Sequence, residues 1–288
     1  MNEIKSNKCI LPSKRRVIVI GDLHGDWNTT IRCLHKCGVI SKDLKWQGGD
    51  TVIIQMGDQI DRGGRGYNIN DENSDLAILN LFADLHLQAL KTNGGVYSLI
   101  GNHELMNVMG NFSYTSPLGL KEYGGKQGRY QLFKPGGYIA QLLANRNVIM
   151  KVGDWIFVHG GINPNIIRNY SIDSINRLMK IYLSGFKKLE NNNKFKELFL
   201  NERSLLWNRE FAEDNVNCNN VMKSLKILKS KFMVIGHTPQ QNGINSVCNN
   251  RLWRVDTGMS QAFGPNNRPR TQMLEILNNG QKINIIRI

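Results

Sequence analysis

Five short runs of the sequence end in groups of residues of the types that can ligate metal ions. The first is Gly21-Asp22-Leu23-His24-Gly25-Asp26, and the second is Gly57-Asp58-Gln59-Ile60-Asp61-Arg62-Gly63. Gly101-Asn102-His103-Glu104, His159-Gly160-Gly161 and Gly236-His237-Thr238-Pro239 complete the series, and four of the chain's six histidines lie in it. The donors are carboxylates, imidazoles and one amide, with no thiolate. That set suits hard-to-borderline divalent ions such as Mn, Fe or Zn. Two such ions need a shared oxygen donor, and a carboxylate is the natural choice. Held about 3.5–4 Å apart, a pair of ions grips both ends of an in-line phosphoryl displacement. Two dications against Asp22, Asp58 and a bridging hydroxide leave a core charge of about +1, with Arg62 beside it, which attracts a phosphate dianion.

Taken singly, each group is ordinary turn chemistry, because Gly beside Asp or His is common where a strand ends. Five in series are not explained that way, since each follows a Val- and Ile-rich run: 16–22, 51–58, 95–104, 151–161 and 232–239. Such runs read as buried strands. Helical patterns lie between them at 27–37, 75–92, 174–191 and 219–231. Asp75 is placed to cap the second helix and Gly94 to end it. Residues 251–258, 271–277 and 282–288 read as strands, with a hairpin turn at 278–280. In open α/β sheets, ligands gather beyond the carboxyl ends of the strands, so the five groups are expected to converge.

Alternating strands and helices place the chain in the α/β class, and the C-terminal hairpin makes the sheets mixed. No linker-like composition divides residues 1–288, so one domain is expected. The motifs span about 15–260, with a loop insertion at about 105–150 and a helical insertion at about 170–230. Residues 119–137 hold six glycines and read as a long loop near the site, and residues 190–196 as a loop tip.

Of 288 residues, 41% are hydrophobic and 21% charged, ordinary values for a chain that buries a core. No run approaches the ~18 apolar residues of a membrane span, and the first residues lack the apolar core of a secretory signal. A soluble, cytoplasmic protein without a membrane partner is expected. The five cysteines are odd in number and scattered, which argues against a disulfide framework and for a reducing compartment. Cys33 and Cys37 read as small core or boundary residues. The net charge is +14, of which +11 lies in residues 145–288, favouring an acidic partner or substrate. Nucleic-acid binding is disfavoured, because neither an aromatic stacking motif nor a helix-turn-helix signature is present.

The series GDxHG, GDxxDRG, GNHE, HGG and GH resembles the calcineurin-like metallophosphoesterases and, within them, the PPP-type protein phosphatases. The stretch from Gly21 through Gly49-Asp50-Thr51 to Gly63 is most similar to the Shewanella-like branch. So are the Ile100-Gly101-Asn102-His103 form and Trp253-Arg254-Val255-Asp256-Thr257-Gly258-Met259-Ser260. The Ser-Ala-Pro-Asn-Tyr-Cys motif of the eukaryotic Ser/Thr enzymes is absent, so neither toxin sensitivity nor regulatory-subunit binding carries over.

The resemblance implies a central two-sheet mixed β-sandwich flanked by helices and a cofactor of two divalent metal ions, manganese foremost, with Fe or Zn as alternatives. By resemblance, Asp22 and His24 bind the first ion, Asp58 bridges, and Asn102, His159 and His237 complete the second. His103 is the general acid and Asp61 its orienting carboxylate, since an adjacent carboxylate favours the imidazolium that can donate a proton. Arg62 binds two phosphate oxygens through its planar fork. Arg209 is either a second phosphate clamp or a surface arginine. Asp26 reads as a helix cap, His35 and His86 as surface or boundary residues, 223–231 as a solvated helix face, and Trp207 and Trp253 as core. The implied function is a metal-dependent phosphomonoester hydrolase acting on phosphoprotein. Ser/Thr substrates stand ahead of Tyr, and a dinucleoside polyphosphate hydrolase of the diadenosine tetraphosphate type is the alternative.

Overall fold

Alternation of side chains along the β-rich runs decides the layering. Val17, Val19, Val52, Ile54 and Leu274 share a buried cluster with Met150, Phe157, Val234 and Trp253. Their neighbours Ile18, Ile20, Ile53 and Met273 turn the other way, onto Leu34, Phe82 and Leu85. The strands are therefore apolar on both faces, as in sheets covered on both sides. The computed structural model describes residues 7–66, 70–264 and 271–288.

The chain opens with β1 (Ile10–Leu11) and β2 (Arg16–Ile20), then alternates α1 (Trp27–Lys36), β3 (Val52–Gln55), α2 (Asp75–Leu90) and β4 (Gly95–Ser98). Four helices follow: α3 (Asn102–Val108), α4 (Pro117–Lys121), α5 (Gly125–Phe133) and α6 (Tyr138–Leu143). A hairpin of β5 (Ile149–Val152) and β6 (Trp155–Val158) leads to α7 (Pro164–Asn169), α8 (Ile172–Leu183), α9 (Asn193–Phe199) and α10 (Cys218–Ile227). The chain ends with β7 (Phe232–Ile235), β8 (Asn245–Val247), β9 (Leu252–Arg254), β10 (Gln272–Leu277) and β11 (Lys282–Arg287).

Two mixed sheets result, ordered β11-β10-β2-β3-β4 and β1-β5-β6-β7-β9-β8. In the first, β2, β3 and β4 are parallel and β10 and β11 antiparallel; in the second, β6, β7 and β9 are parallel. The cluster around Val19 and Phe157 fills the space between the sheets. Helices α1 and α2 cover the outer face of the first. Residues of α3, α5, α6 and α7 to α10 cover the second, packing Leu105, Phe133, Ile175, Phe195 and Leu225 against Ile156, Val158 and Ile235. This is the expected helix-flanked two-sheet fold, with the 278–280 turn joining β10 to β11.

Several local expectations change. Ser74, not Asp75, is the cap residue of α2, because the Asp75 carboxylate faces inward and receives Arg129 Nη2 at 2.7 Å. The glycine-rich stretch 119–137 is mostly helical. Ser116 caps α4 with Pro117 in its first turn, and Gly124, at positive φ, is the cap residue of α5, whose first residue Gly125 is also at positive φ. The pattern at 174–191 is helical only to Leu183, as α8, and the 190–196 stretch expected as a loop tip holds the Asn192 cap and the start of α9. Cys218 and Cys248 form a disulfide with Cα atoms 5.3 Å apart, which the reading against a disulfide framework did not anticipate. They are 30 residues apart in sequence, and only the packing of α10 beside the turn between β8 and β9 brings them together. Cys9, Cys33 and Cys37 are free and buried. Of the two tryptophans read as core, Trp253 is buried and Trp207 only partly so.

Candidate active site

Parallel strands of both sheets end on one side of the sandwich, and the donor groups follow those ends. Asp22, Asp58 and Asn102 come after β2, β3 and β4; His159 and His237 come after β6 and β7. All five are buried, as are His24, His103 and Asp61. The loops turn sharply to aim them inward. His24, Asp58, Asp61 and His237 have φ of 40°, 51°, 74° and 67°, a region that side chains other than Gly rarely adopt and that marks functional turns. Close backbone approach explains two glycines: a Cβ on Gly57 would lie 2.6 Å from Gly101 N, and one on Gly101 2.2 Å from Asp58 Oδ1.

The Glu104 carboxylate ties the loops together. It accepts from the backbone N–H groups of Asp58 (2.9 Å), Gln59 (2.8 Å) and Gly101 (2.8 Å). Asp58 Oδ1 in turn accepts from His103 N at 2.9 Å. The other oxygen, Oδ2, lies 3.3 Å from His159 Nε2, 3.8 Å from His103 Nε2 and 3.9 Å from His24 Nε2.

Two groups of donor atoms capable of holding an ion emerge, His24-Asp58-His103 and Asp58-His159-His237, with the atoms of each within 4.8 Å of one another. Asp58 belongs to both, the position of a bridging ligand. Asn102 Oδ1 sits 2.9 Å from His159 Nε2, and His159 Nδ1 faces Met56 O at 2.8 Å. A backbone carbonyl behind the far nitrogen is the usual orienting partner of a metal-binding imidazole. Asp22, expected as a ligand of the first ion, belongs to neither group, and His103 stands with His24 and Asp58 instead. The Asp22 carboxylate accepts from His237 N at 3.1 Å. His237 Nε2 and Asp256 Oδ2 are buried without a hydrogen-bond partner. Buried polar atoms are rarely left so, and a cation between the loops would satisfy both. The donor set therefore fits divalent ions.

Electrostatics agree with that fit at most of the donors; His159 is the exception, since burial opposes its charge but Asp58 outweighs burial and raises the imidazole. Burial raises Asp22 well above the carboxylate range, and Asp256 and Asp58 push it further. Burial likewise lifts Asp256, to about 6. Burial alone would raise Asp58, but His159, His103 and His24 surround it and hold it well below its ordinary value. Burial lowers His24, helped by Arg65 and His103, and lowers His237, helped by His159 and Arg209. Both are kept as the neutral imidazoles that bind metals. His103 goes the other way: burial opposes its charge, yet Asp58 and Asp61 outweigh it and raise the imidazole. Its Nδ1 lies 2.8 Å from Asp61 Oδ2.

Asp61 is itself fixed by Asn107 Nδ2 (2.8 Å) and Thr115 Oγ1 (2.9 Å). Behind Asn107 stands fully buried Arg129, whose Nε donates to Asn107 Oδ1 at 2.7 Å. The Arg62 fork is turned toward protein oxygens. It donates to Asn70 O and Gly25 O and lies 3.3 Å from Asp26 and 3.5 Å from Glu72. Asp26 also caps α1, accepting from Thr29 N, as expected. Arg209 is exposed and reaches Thr238 Oγ1 at 3.1 Å, beside His237.

The structure adds residues that sequence reasoning had not singled out. Arg65 Nη2 lies 2.9 Å from His24 Nδ1, its guanidinium 5.1 Å from the Tyr114 ring centre and 4.9 Å from that of Phe263. Only its place between two glycines just after the second motif hinted at it. Asp256 lay in the noted segment 253–260 without a role. Asn107, Thr115 and Arg129 gave no sequence signal, because their task is to hold another side chain.

A model of the calcineurin-like phosphoesterase family matches residues 15–265. The chain belongs to that family. This phosphoesterase is 29% identical to Shewanella-like protein phosphatase 2 of Arabidopsis thaliana over 90% of its own length and 75% of that protein's. It is also 29% identical to Shewanella-like protein phosphatase 1 of Plasmodium berghei, over 95% and 74%. Its fold matches the crystal structure of a cold-active protein-tyrosine phosphatase of a psychrophilic Shewanella species. The TM-score is 0.80, with 22% identity, covering 99% of this chain and 85% of that one. Among the described residues, no helix is long and apolar enough to cross a membrane.

Proposed function

We propose that this phosphoesterase is a phosphoprotein phosphatase that uses two divalent ions, manganese foremost, held by Asp22, His24, Asp58, Asn102, His159 and His237. The observation that carries the reading is the Asp58 carboxylate common to two donor groups, with the His103-Asp61 pair beside it. Two bound cations would supply Lewis acidity and a water made nucleophilic at neutral pH. The rest falls to side chains. His103, charged and held by Asp61, gives a proton to the leaving alkoxide oxygen as the P–O bond breaks. Arg65 presents a guanidinium beside His24, and Arg209 stands at the rim near His237, so the two flank an incoming phosphate. Arg62, engaged by Asp26 and Glu72, holds the α1 loop unless substrate draws its fork away. The names of the sequence relatives support phosphoprotein as the substrate class; our placing of phosphoserine and phosphothreonine ahead of phosphotyrosine rests on the PPP-type motif resemblance alone.

The decisive assay supplies Mn and compares phosphoserine, phosphothreonine and phosphotyrosine peptides with diadenosine tetraphosphate. We expect turnover of the peptides and loss of ~10³-fold or more in Asp58→Asn. Preferential turnover of the dinucleotide would transfer the site to the alternative reading. Peptide turnover that survives both chelation and Asp58→Asn would end the two-ion reading.

A further inference from the structure

A cavity of about 590 Å3 lies between α2, β4 and the turn that follows α6, lined by side chains outside the candidate active site. Its walls are mostly apolar in area, with Phe82, Leu87, Leu90, Leu142 and Met150 among the lining. Leu87 and Leu90, one turn apart on α2, are 63% and 49% exposed, an apolar lip that a lone helix face in water does not need. Its charges are of one sign. Lys8 and Arg146 line it, and among the described residues no carboxylate does.

Arg146 is the unusual member. Its Nη2 donates to Gln59 Oε1 at 2.8 Å, while Nη1 is buried with no partner. Burial pulls the guanidinium down to about 10, and Glu104 compensates it only in part. A desolvated cation short of an anion is costly unless something else supplies the charge. The next wall residue leads to the same place, since Ser98 Oγ accepts from Gln59 Nε2 at 2.9 Å. Gln59 is thus held between two residues of the cavity, and it follows Asp58 directly in the chain.

The geometry points to this cavity as a binding site for a small monocarboxylic acid with an apolar body, its carboxylate on Arg146 and its hydrocarbon against α2 and Met150. Apolar walls with one or two placed polar groups are the usual make-up of such sites, and a charge-assisted hydrogen bond between a guanidinium and a carboxylate is stronger than a neutral one. The inference does not depend on the proposed reaction. A bound acid would replace the missing charge beside Arg146 and bear on Gln59 from behind the metal-binding loop.

Sodium octanoate is the probe, with octylamine as the charge-reversed control, and 15N-labelled protein gives the readout. Octanoate should shift the backbone amides of β4 and the Gln59 side-chain amide, and octylamine should not. Arg146→Gln should weaken octanoate about tenfold, the loss of one charge-assisted pair. Ala83→Trp, which fills the cavity from the surface of α2, should abolish binding while leaving the spectrum of the rest of the fold in place. Octylamine binding equally well would overturn the proposal. So would octanoate binding that neither variant changes, octanoate displaced by orthophosphate from the active site, or no shift near β4.

Discussion

At the scale of single residues, the site separates two tasks among similar side chains by their surroundings. His24 and His237 are buried among cations and stay neutral, whereas His103 faces Asp58 and Asp61 and is drawn toward its charged form. A proton donor matters in proportion to the basicity of the leaving group. His103→Asn should therefore lower turnover of a phosphoserine peptide by ~10²–10³-fold and that of p-nitrophenyl phosphate much less, since nitrophenolate leaves without a proton. Equal losses on both substrates, measured side by side, would remove His103 from the acid role. Arg65 gives a second test. If it meets the phosphate, Arg65→Met should raise KM for peptide about tenfold or more, and it should leave Mn affinity, read by calorimetry, near that of the parent.

At the scale of elements, the strand ends were legible because each donor group closes a Val/Ile run, and chain order survived as spatial convergence. The β2, β3, β6 and β7 runs and their polar ends were readable for that reason. What the sequence concealed were pairings decided by packing. Six glycines in 119–137 suggested a loop, yet Ser116-Pro117 starts a helix there and Arg129 anchors another through Asn107 and Asp75. Asp75 looked like a cap because position alone could not show that its carboxylate would face Arg129. The cysteines misled in the same way, since an odd count says nothing of which two meet. The 218–248 disulfide closes a 30-residue segment, which on chain-entropy grounds constrains the unfolded state by about 3–4 kcal/mol. Reduction with a phosphine, or Cys248→Ser, should lower Tm by several degrees, read by calorimetry. An unchanged Tm would show the bond to be thermodynamically idle.

At the scale of the whole molecule, the donor groups draw on both sheets: His24, Asp58 and His103 follow strands of one, His159 and His237 strands of the other. Ions bound there would link the two halves of the sandwich and stabilise the folded state by mass action, about 3–4 kcal/mol for a ligand at a hundred- to thousandfold excess over Kd. Chelation should lower Tm, and Mn should restore it. A chelator that leaves Tm untouched while activity disappears would mean that the ions act on chemistry alone.

The apolar layer shared by Val19, Ile54, Phe157 and Val234 has a consequence beyond holding the sheets together. Because it separates the strand ends that carry the two donor groups, it works as the spacer of an instrument whose gap must match a pair of cations. Widening it with Val234→Phe, or thinning it with Phe157→Leu, would detune the reaction from deep inside the protein, with every donor left in place.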